Sequence, residues 1–248
     1  MWHFFTSKKR NPDLSFIGVE LHNHILPGID DGVEEATTTI RFIERFQQLG
    51  FKKIIATPHI FAGVYPNTPE TIHAAYQSTF INSTMASSIE LAYAAEYMVD
   101  IEFETMLQQD HSLLTFGQKQ ILIEMSYAAP SPNIEQVVFA LQLAGYQPVL
   151  AHPERYNFYH QQPKSYQRML DMGCQFQLNI LSLTNYYGPQ VKKQAHWLLK
   201  NKMYQWVGSD CHHERHLKSL EDFASSKECY ELLESYPFFN SSLLPNSL

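Results

Sequence analysis

The chain has 248 residues, 44% of them hydrophobic and 13% aromatic, which is enough for a packed core and excludes a disordered chain. Its 18 basic and 25 acidic side chains leave a formal net charge of −7, which excludes a broad attraction for nucleic acid or anionic lipid. Three cysteines, Cys174, Cys211 and Cys229, follow no framework spacing and suit a reducing compartment.

The N-terminal MWHFFTSKKR places its basic residues after a very short apolar stretch, the reverse of a secretory signal. No apolar run approaches the roughly 18 residues of a membrane span. A cytoplasmic protein without membrane insertion is expected. Residues 1–17 read as an N-terminal extension and 18–248 as a single domain, with no repeat or linker between.

In chain order, seven short apolar runs read as strands: 18–21, 53–57, 89–95, 120–124, 148–151, 175–179 and 205–208. Segments with helical spacing lie between them, at 35–49, 68–83 (starting at Thr68 or Pro69), 133–144, 163–172 and 189–200. Gly50, Gly145 and Gly173 stand where a helix stop is expected. Strand alternating with helix implies a parallel α/β sheet, and seven units in this length suggest closure into a barrel. A doubly wound open sheet has the same spacing.

Six of the seven runs end in a side chain able to bind metal. The first leads into Glu20-Leu21-His22-Asn23-His24 and then ILPGIDDG, with Asp30 and Asp31. Residues two apart in extended chain face one side, so His22 and His24 can address one ion. The later runs lead to His59, Glu96, Glu124, His152 and the pair Asp210 and His212. Barrels of parallel strands carry their active sites at these carboxyl ends. Nine candidates exceed the ligand demand of one ion, so bridging carboxylates would hold two or three. Imidazole and carboxylate without thiolate suit manganese, iron, zinc or magnesium. Glu124, inside the apolar run ILIEM, is a costly place for an unpaired carboxylate.

A lone histidine at a strand end is more often structural, and His3, His73, His111, His160, His196, His213 and His216 are read so. Tyr186 and Tyr187 read as packing or rim residues, and Cys211 as a small buried one. A cysteine phosphatase needs arginine six residues after its nucleophile; those positions hold Ile180, Leu217 and Ser235, which closes that route.

The motifs LHNHILPGIDDG, ATPH, AAEY, LIEM, AHPERY and GSDCH, in this order, resemble the polymerase and histidinol phosphatase (PHP) superfamily. They look most like the bacterial manganese-dependent protein-tyrosine phosphatases of capsule and exopolysaccharide operons. The similarity runs from about Glu20 to Arg215. It implies a distorted (β/α)7 TIM-like barrel and up to three metals, manganese first among them. One would be held by His22, His24, Glu96 and Asp210, one by Glu96, Glu124 and His152, and one by Asp31, His59 and His212. It also implies phosphate capture by Arg155. A second family arginine follows the DxH motif, and Arg215 is the arginine nearest that place, at a shorter spacing. Glu20 stands where relatives carry Asp and reads as a support for the ligands.

The expected reaction is hydrolysis of a protein phosphotyrosine, on a bacterial tyrosine kinase of polysaccharide export, by a hydroxide bridging the metals. A phenol leaves with a pKa near 10, so little general-acid help is required. The rival reading is a small-molecule phosphatase of the histidinol-phosphate type. A homo-oligomer is compatible with either.

Overall fold

In the computed structural model, which describes residues 11–80, 89–109 and 112–245, parallel strands alternate with helices. The order is β1 (Val19–Glu20), α1 (Ala36–Gln48), β2 (Lys53–Ala56), β3 (His59–Ile60), α2 (Pro69–Phe80), β4 (Glu90–Tyr93) and β5 (Glu96–Met98). There follow α3 (Ile101–Gln108), β6 (Gln120–Glu124), α4 (Ile134–Leu143), β7 (Gln147–Ala151), α5 (Pro163–Asp171) and β8 (Gln175–Asn179). The chain ends with α6 (Pro189–Lys200), β9 (Trp206–Gly208), α7 (Glu214–Ala224) and α8 (Lys227–Leu233). Residues 1–10, most of the N-terminal extension, lie outside the described residues, as do 81–83 of the second expected helix. Leu14 and Ile17, from the rest of that extension, are buried in the main core.

The strands form two sheets, β1-β2-β4 and β3-β5-β6-β7-β8-β9, with every pairing parallel. Seven expected strands become nine because two of them break. Pro58 has no N–H to give the ladder, so the second strand resumes only at His59. Its neighbour breaks alongside, at Ala94-Ala95, and resumes at Glu96. His59 and Glu96 therefore open a new strand rather than close an old one.

The expected barrel is not closed by a continuous ladder: the strands curve into a ring that stays split between the two sheets. Between β1 and β9 the Asn240 side chain stands in for backbone pairing, donating to Val19 O (2.9 Å) and Val207 O (2.7 Å) and accepting from Val207 N–H (3.1 Å). Glu20 Oε1 crosses the same seam to Ser209 N–H (3.0 Å). Beyond it a single parallel bridge, Asn23 to Cys211, joins the two chains.

Alternation sorts the side chains. Leu122, Val149, Ala151 and Trp206 meet inside the ring with Val19, Leu21 and Ile55. Their neighbours Ile121, Ile123 and Leu150 turn outward to the helices. On α1 the spacing of Thr39, Phe42, Ile43 and Phe46 places all four on the buried face. Full burial of a phenylalanine contributes about 1.5–3 kcal/mol. The helices α3, α7 and α8 go beyond the sequence reading; their first turns are capped by the side chains of Asp100, His213 and Ser226.

Candidate metal centre

The chain leaving β1 is held between two others. His24 N–H donates to Cys211 O (2.9 Å), Asp210 N–H to His22 O (2.7 Å) and Thr57 N–H to Asn23 O (2.9 Å). Extended backbone then directs His22 and His24 to one side. Their Nε2 atoms lie 3.1 and 3.4 Å from Glu96 Oε2, and 3.3 and 3.4 Å from Asp210 Oδ1. On β6, Glu124 follows Leu122 on the inner face and puts Oε1 2.9 Å from His59 Nδ1. His152, just after β7, sets Nε2 3.1 Å from Glu96 Oε1 and 3.9 Å from Glu124 Oε2. Asp31 Oδ1 stands 3.5 Å from His59 Nε2 and 3.6 Å from His212 Nε2.

All nine candidates thus meet at one mouth of the ring. Three groups have donor atoms within 4.8 Å of one another: His22, His24, Glu96 and Asp210; His24, Asp31, His59 and His212; and His59, Glu96 and Glu124. His59 faces two of them. The test of fit is hydrogen bonding. Buried His22 Nε2, His24 Nε2, His59 Nδ1 and Glu96 Oε2 have no hydrogen-bond partner although they nearly touch. A buried polar atom left unpaired costs about 1–3 kcal/mol. Lone pairs converging on one point are what a divalent cation satisfies, so these residues fit the implied group.

The electrostatics agree. Burial alone would raise the carboxyls of Glu96 and Asp210, yet the imidazoles around them, His22 foremost, hold both well below the usual carboxylate range. Burial opposes charge on His22, but Glu96 and Asp210 outweigh it and push the ring up to about 9. His212 is pushed down to about 4 by burial and by His24. Backbone strain gathers here too: His152 (φ 35°) and Asp210 (φ 52°) occupy the left-handed region that non-glycine residues rarely enter. Two glycines make room. A Cβ on Gly32 would lie 2.0 Å from His24 O, and one on Gly208 2.6 Å from His22 Cβ.

Several further residues hold the candidates in place, and of these only Glu20 was given that part by the sequence. Asp30, kept to about 2 because His24 outweighs its burial, accepts from His24 Nδ1–H (2.7 Å) and His59 N–H (3.1 Å). Asn179 donates to Asp210 Oδ2 (3.1 Å) and Tyr187 Oη (3.2 Å). Buried Glu154 accepts from Asn179 N–H (3.0 Å) and the Tyr204 hydroxyl (3.0 Å). Glu20, whose carboxyl burial raises to about 7, accepts from His22 N–H (3.2 Å) as well as Ser209. Asp30 had a signal, its place beside Asp31 in the same turn. Asn179 had a weaker one, an amide at the strand end that lacks a ligand.

Arg155 enters from the turn after β7. Its guanidinium carbon lies 4.7 Å from the Tyr127 ring centre and 4.2 Å from that of Tyr187, and Nη1 is 2.5 Å from Asp210 Oδ2. Two aromatic faces fix the cation beside the cluster. Tyr187 is thus more than a rim residue. Arg215 is exposed on the first turn of α7 and is not among the residues lining this cavity. His216 is buried and His213 exposed; both line it, and His216 Nδ1 accepts from His212 N–H (3.2 Å). His3 and His111 lie outside the described residues.

The cavity over the cluster measures about 490 Å³. Its floor is Glu96, Glu124, His152 and Asp210, and its walls include Phe61, Val64, Met98 and Tyr127. A family model described as capsular polysaccharide synthesis, CpsB/CapC, matches residues 18–232. The chain belongs to this family. Among CpsB/CapC relatives, the tyrosine-protein phosphatase YwqE of Bacillus subtilis is 30% identical over 197 residues, covering 78% of this chain and 77% of the relative. The tyrosine-protein phosphatase CpsB of Streptococcus pneumoniae is 26% identical over 200 residues (78% and 82%). The solved structures of these two proteins, described as unique metal-dependent tyrosine phosphatases, include a chain that superposes with a TM-score of 0.73 at 28% identity, over 88% of this chain and 92% of that one. A lactonase from Listeria monocytogenes shares the fold alone, at TM-score 0.50 and 12% identity over 96% and 95% of the chains.

Proposed function

We propose that this protein is a metal-dependent protein-tyrosine phosphatase, and that His22, His24, Asp31, His59, Glu96, Glu124, His152, Asp210 and His212 hold its metals. The observation that carries this reading is the convergence of buried, unpartnered imidazole and carboxylate atoms beneath an arginine clasped by two tyrosines. His22, His24, Glu96 and Asp210 form the innermost ligand set. Glu96, which also lies within reach of His59 and His152, would be the carboxylate shared between that set and Glu124 with His152. Asp31, His59 and His212 hold an outer ion, and manganese is the expected metal. Bound there, such ions lower the pKa of water towards about 7 and offset charge developing on phosphoryl oxygens.

The chain's own groups supply the rest. Arg155 presents its fork to the phosphoryl oxygens, and Tyr127 and Tyr187 prevent it from swinging out. Asn179 keeps Asp210 turned to the cluster. Phe61, Val64, Met98 and Tyr127 give the entrance an apolar lining suited to a phenyl ring. A phenol leaving group, with a pKa near 10, departs readily from such a site. The physiological partner in this reading is a phosphotyrosine protein, a bacterial tyrosine kinase of capsule or exopolysaccharide synthesis. Among the described residues no helix is long and apolar enough to cross a membrane.

Turnover of a phosphotyrosine peptide against histidinol phosphate, with manganese supplied, tests the assignment. Preference for the peptide is expected; strong preference for histidinol phosphate would replace it with the small-molecule reading.

A further inference from the structure

Strand β8 reads Gln175-Phe176-Gln177-Leu178-Asn179. Phe176 and Leu178 turn out to the core under the helices, so the three amides form a polar row facing inward. Gln177, in the middle of that row, is fully buried. Its Oε1 lies 2.9 Å from His22 Nδ1 and accepts His152 N–H at 3.2 Å, while its Nε2 donates to Leu178 O. An amide and an imidazole can each be drawn two ways, but here the backbone removes the choice. A main-chain N–H can only donate, so the atom facing it is oxygen. That oxygen can only accept, so His22 Nδ1 carries the proton. The other ring nitrogen, Nε2, faces Glu96 and Asp210 and is therefore the one available to a metal ion.

We infer that Gln177 is a positioning residue that sets the tautomer of His22 for metal binding and ties the strained His152 turn to the same atom. This rests on the ligand reading above. The sequence motifs contain no trace of it, because Gln177 binds nothing itself. Gly208 belongs to the device, since a Cβ there would meet both His22 and Gln177 Nε2.

The test titrates cobalt(II) alone into metal-free wild type, His22→Ala, Gln177→Ala and Gln177→Met, by calorimetry and visible absorption. Methionine keeps the length of the side chain and removes the acceptor. Both Gln177 variants should bind the tightest ion about 10–100-fold more weakly, as loss of a ligand's hydrogen-bond partner typically does. Affinity within twofold of wild type would overturn the inference, provided His22→Ala loses that ion. If His22→Ala binds cobalt like wild type, the ligand assignment itself falls. An arm independent of variant folding uses wild-type protein with ¹⁵N-labelled histidine and zinc. A hydrogen-bonded Nδ1–H on a His22 ring bound through Nε2 is expected, and metal on Nδ1 would refute the proposal.

Discussion

The inner and outer parts of the candidate centre are built differently. His22, His24, Glu96 and Asp210 are almost wholly buried, and three of the four have a hydrogen-bonded support: Gln177 for His22, Asp30 for His24 and Asn179 for Asp210. At the outer edge Asp31 is 51% exposed, and His59 and His212 reach it only at 3.5 and 3.6 Å. Both groups already gather their donor atoms round one point, but the inner one is sealed from water while the outer one is open to it through Asp31. The lesson is that one cluster can offer a shielded site beside an open one, because burial differs across a few ångströms.

The largest effect should come from breaking the inner group. His22→Ala or Asp210→Ala is expected to cut kcat/KM for an aryl phosphate by more than about 1000-fold, beyond the 10²–10³ typical of one electrostatic stabiliser. Metal analysis should show the inner ion lost while the circular dichroism spectrum is kept; normal turnover would remove these residues from the centre. Arg155→Ala should cost about 100–1000-fold in kcat/KM with metal content unchanged. Arg155→Lys should rescue little, because an ammonium lacks the planar fork held between two rings. Steady-state kinetics with both variants checks this.

Asp31→Ala sharpens the comparison. It should cost only about 10–100-fold, with one ion fewer per chain and the inner ion resistant to chelator. Equal loss of every ion would show that the two parts are one unit. Free metal at about 100 times its Kd should stabilise the fold by about 2.7 kcal/mol, read as a rise in Tm that chelator reverses. The smallest effect concerns the thiols. Burial pushes Cys174 and Cys229 up to about 12, and Cys211 is also raised by burial, so iodoacetamide should leave native activity unchanged. Loss of turnover on alkylation would reopen a role for cysteine.

Much of the fold was legible because short apolar runs and helical spacings are local. The run 120–124 and the helix 189–200 coincide with β6 and α6. The two broken strands were not, since a ladder gap depends on what Pro58 faces as much as on Pro58. Candidate site residues were legible where the residue type itself binds metal or phosphate, as with His22, Glu124 and Arg155. Asn179, Tyr127 and Tyr187 bind nothing of that kind by type, and their parts depend on distant neighbours.

What the sequence by itself determined is the alternation of strand and helix and the identity of the chemically able side chains, because periodicity and donor type are properties of the local chain. Only the tertiary structure decided which nitrogen of His22 faces its carboxylates, which rings enclose Arg155 and how Asn240 joins β1 to β9. Each of these is a contact between residues far apart in the chain, selected by the packing of the whole ring, and no local pattern encodes it.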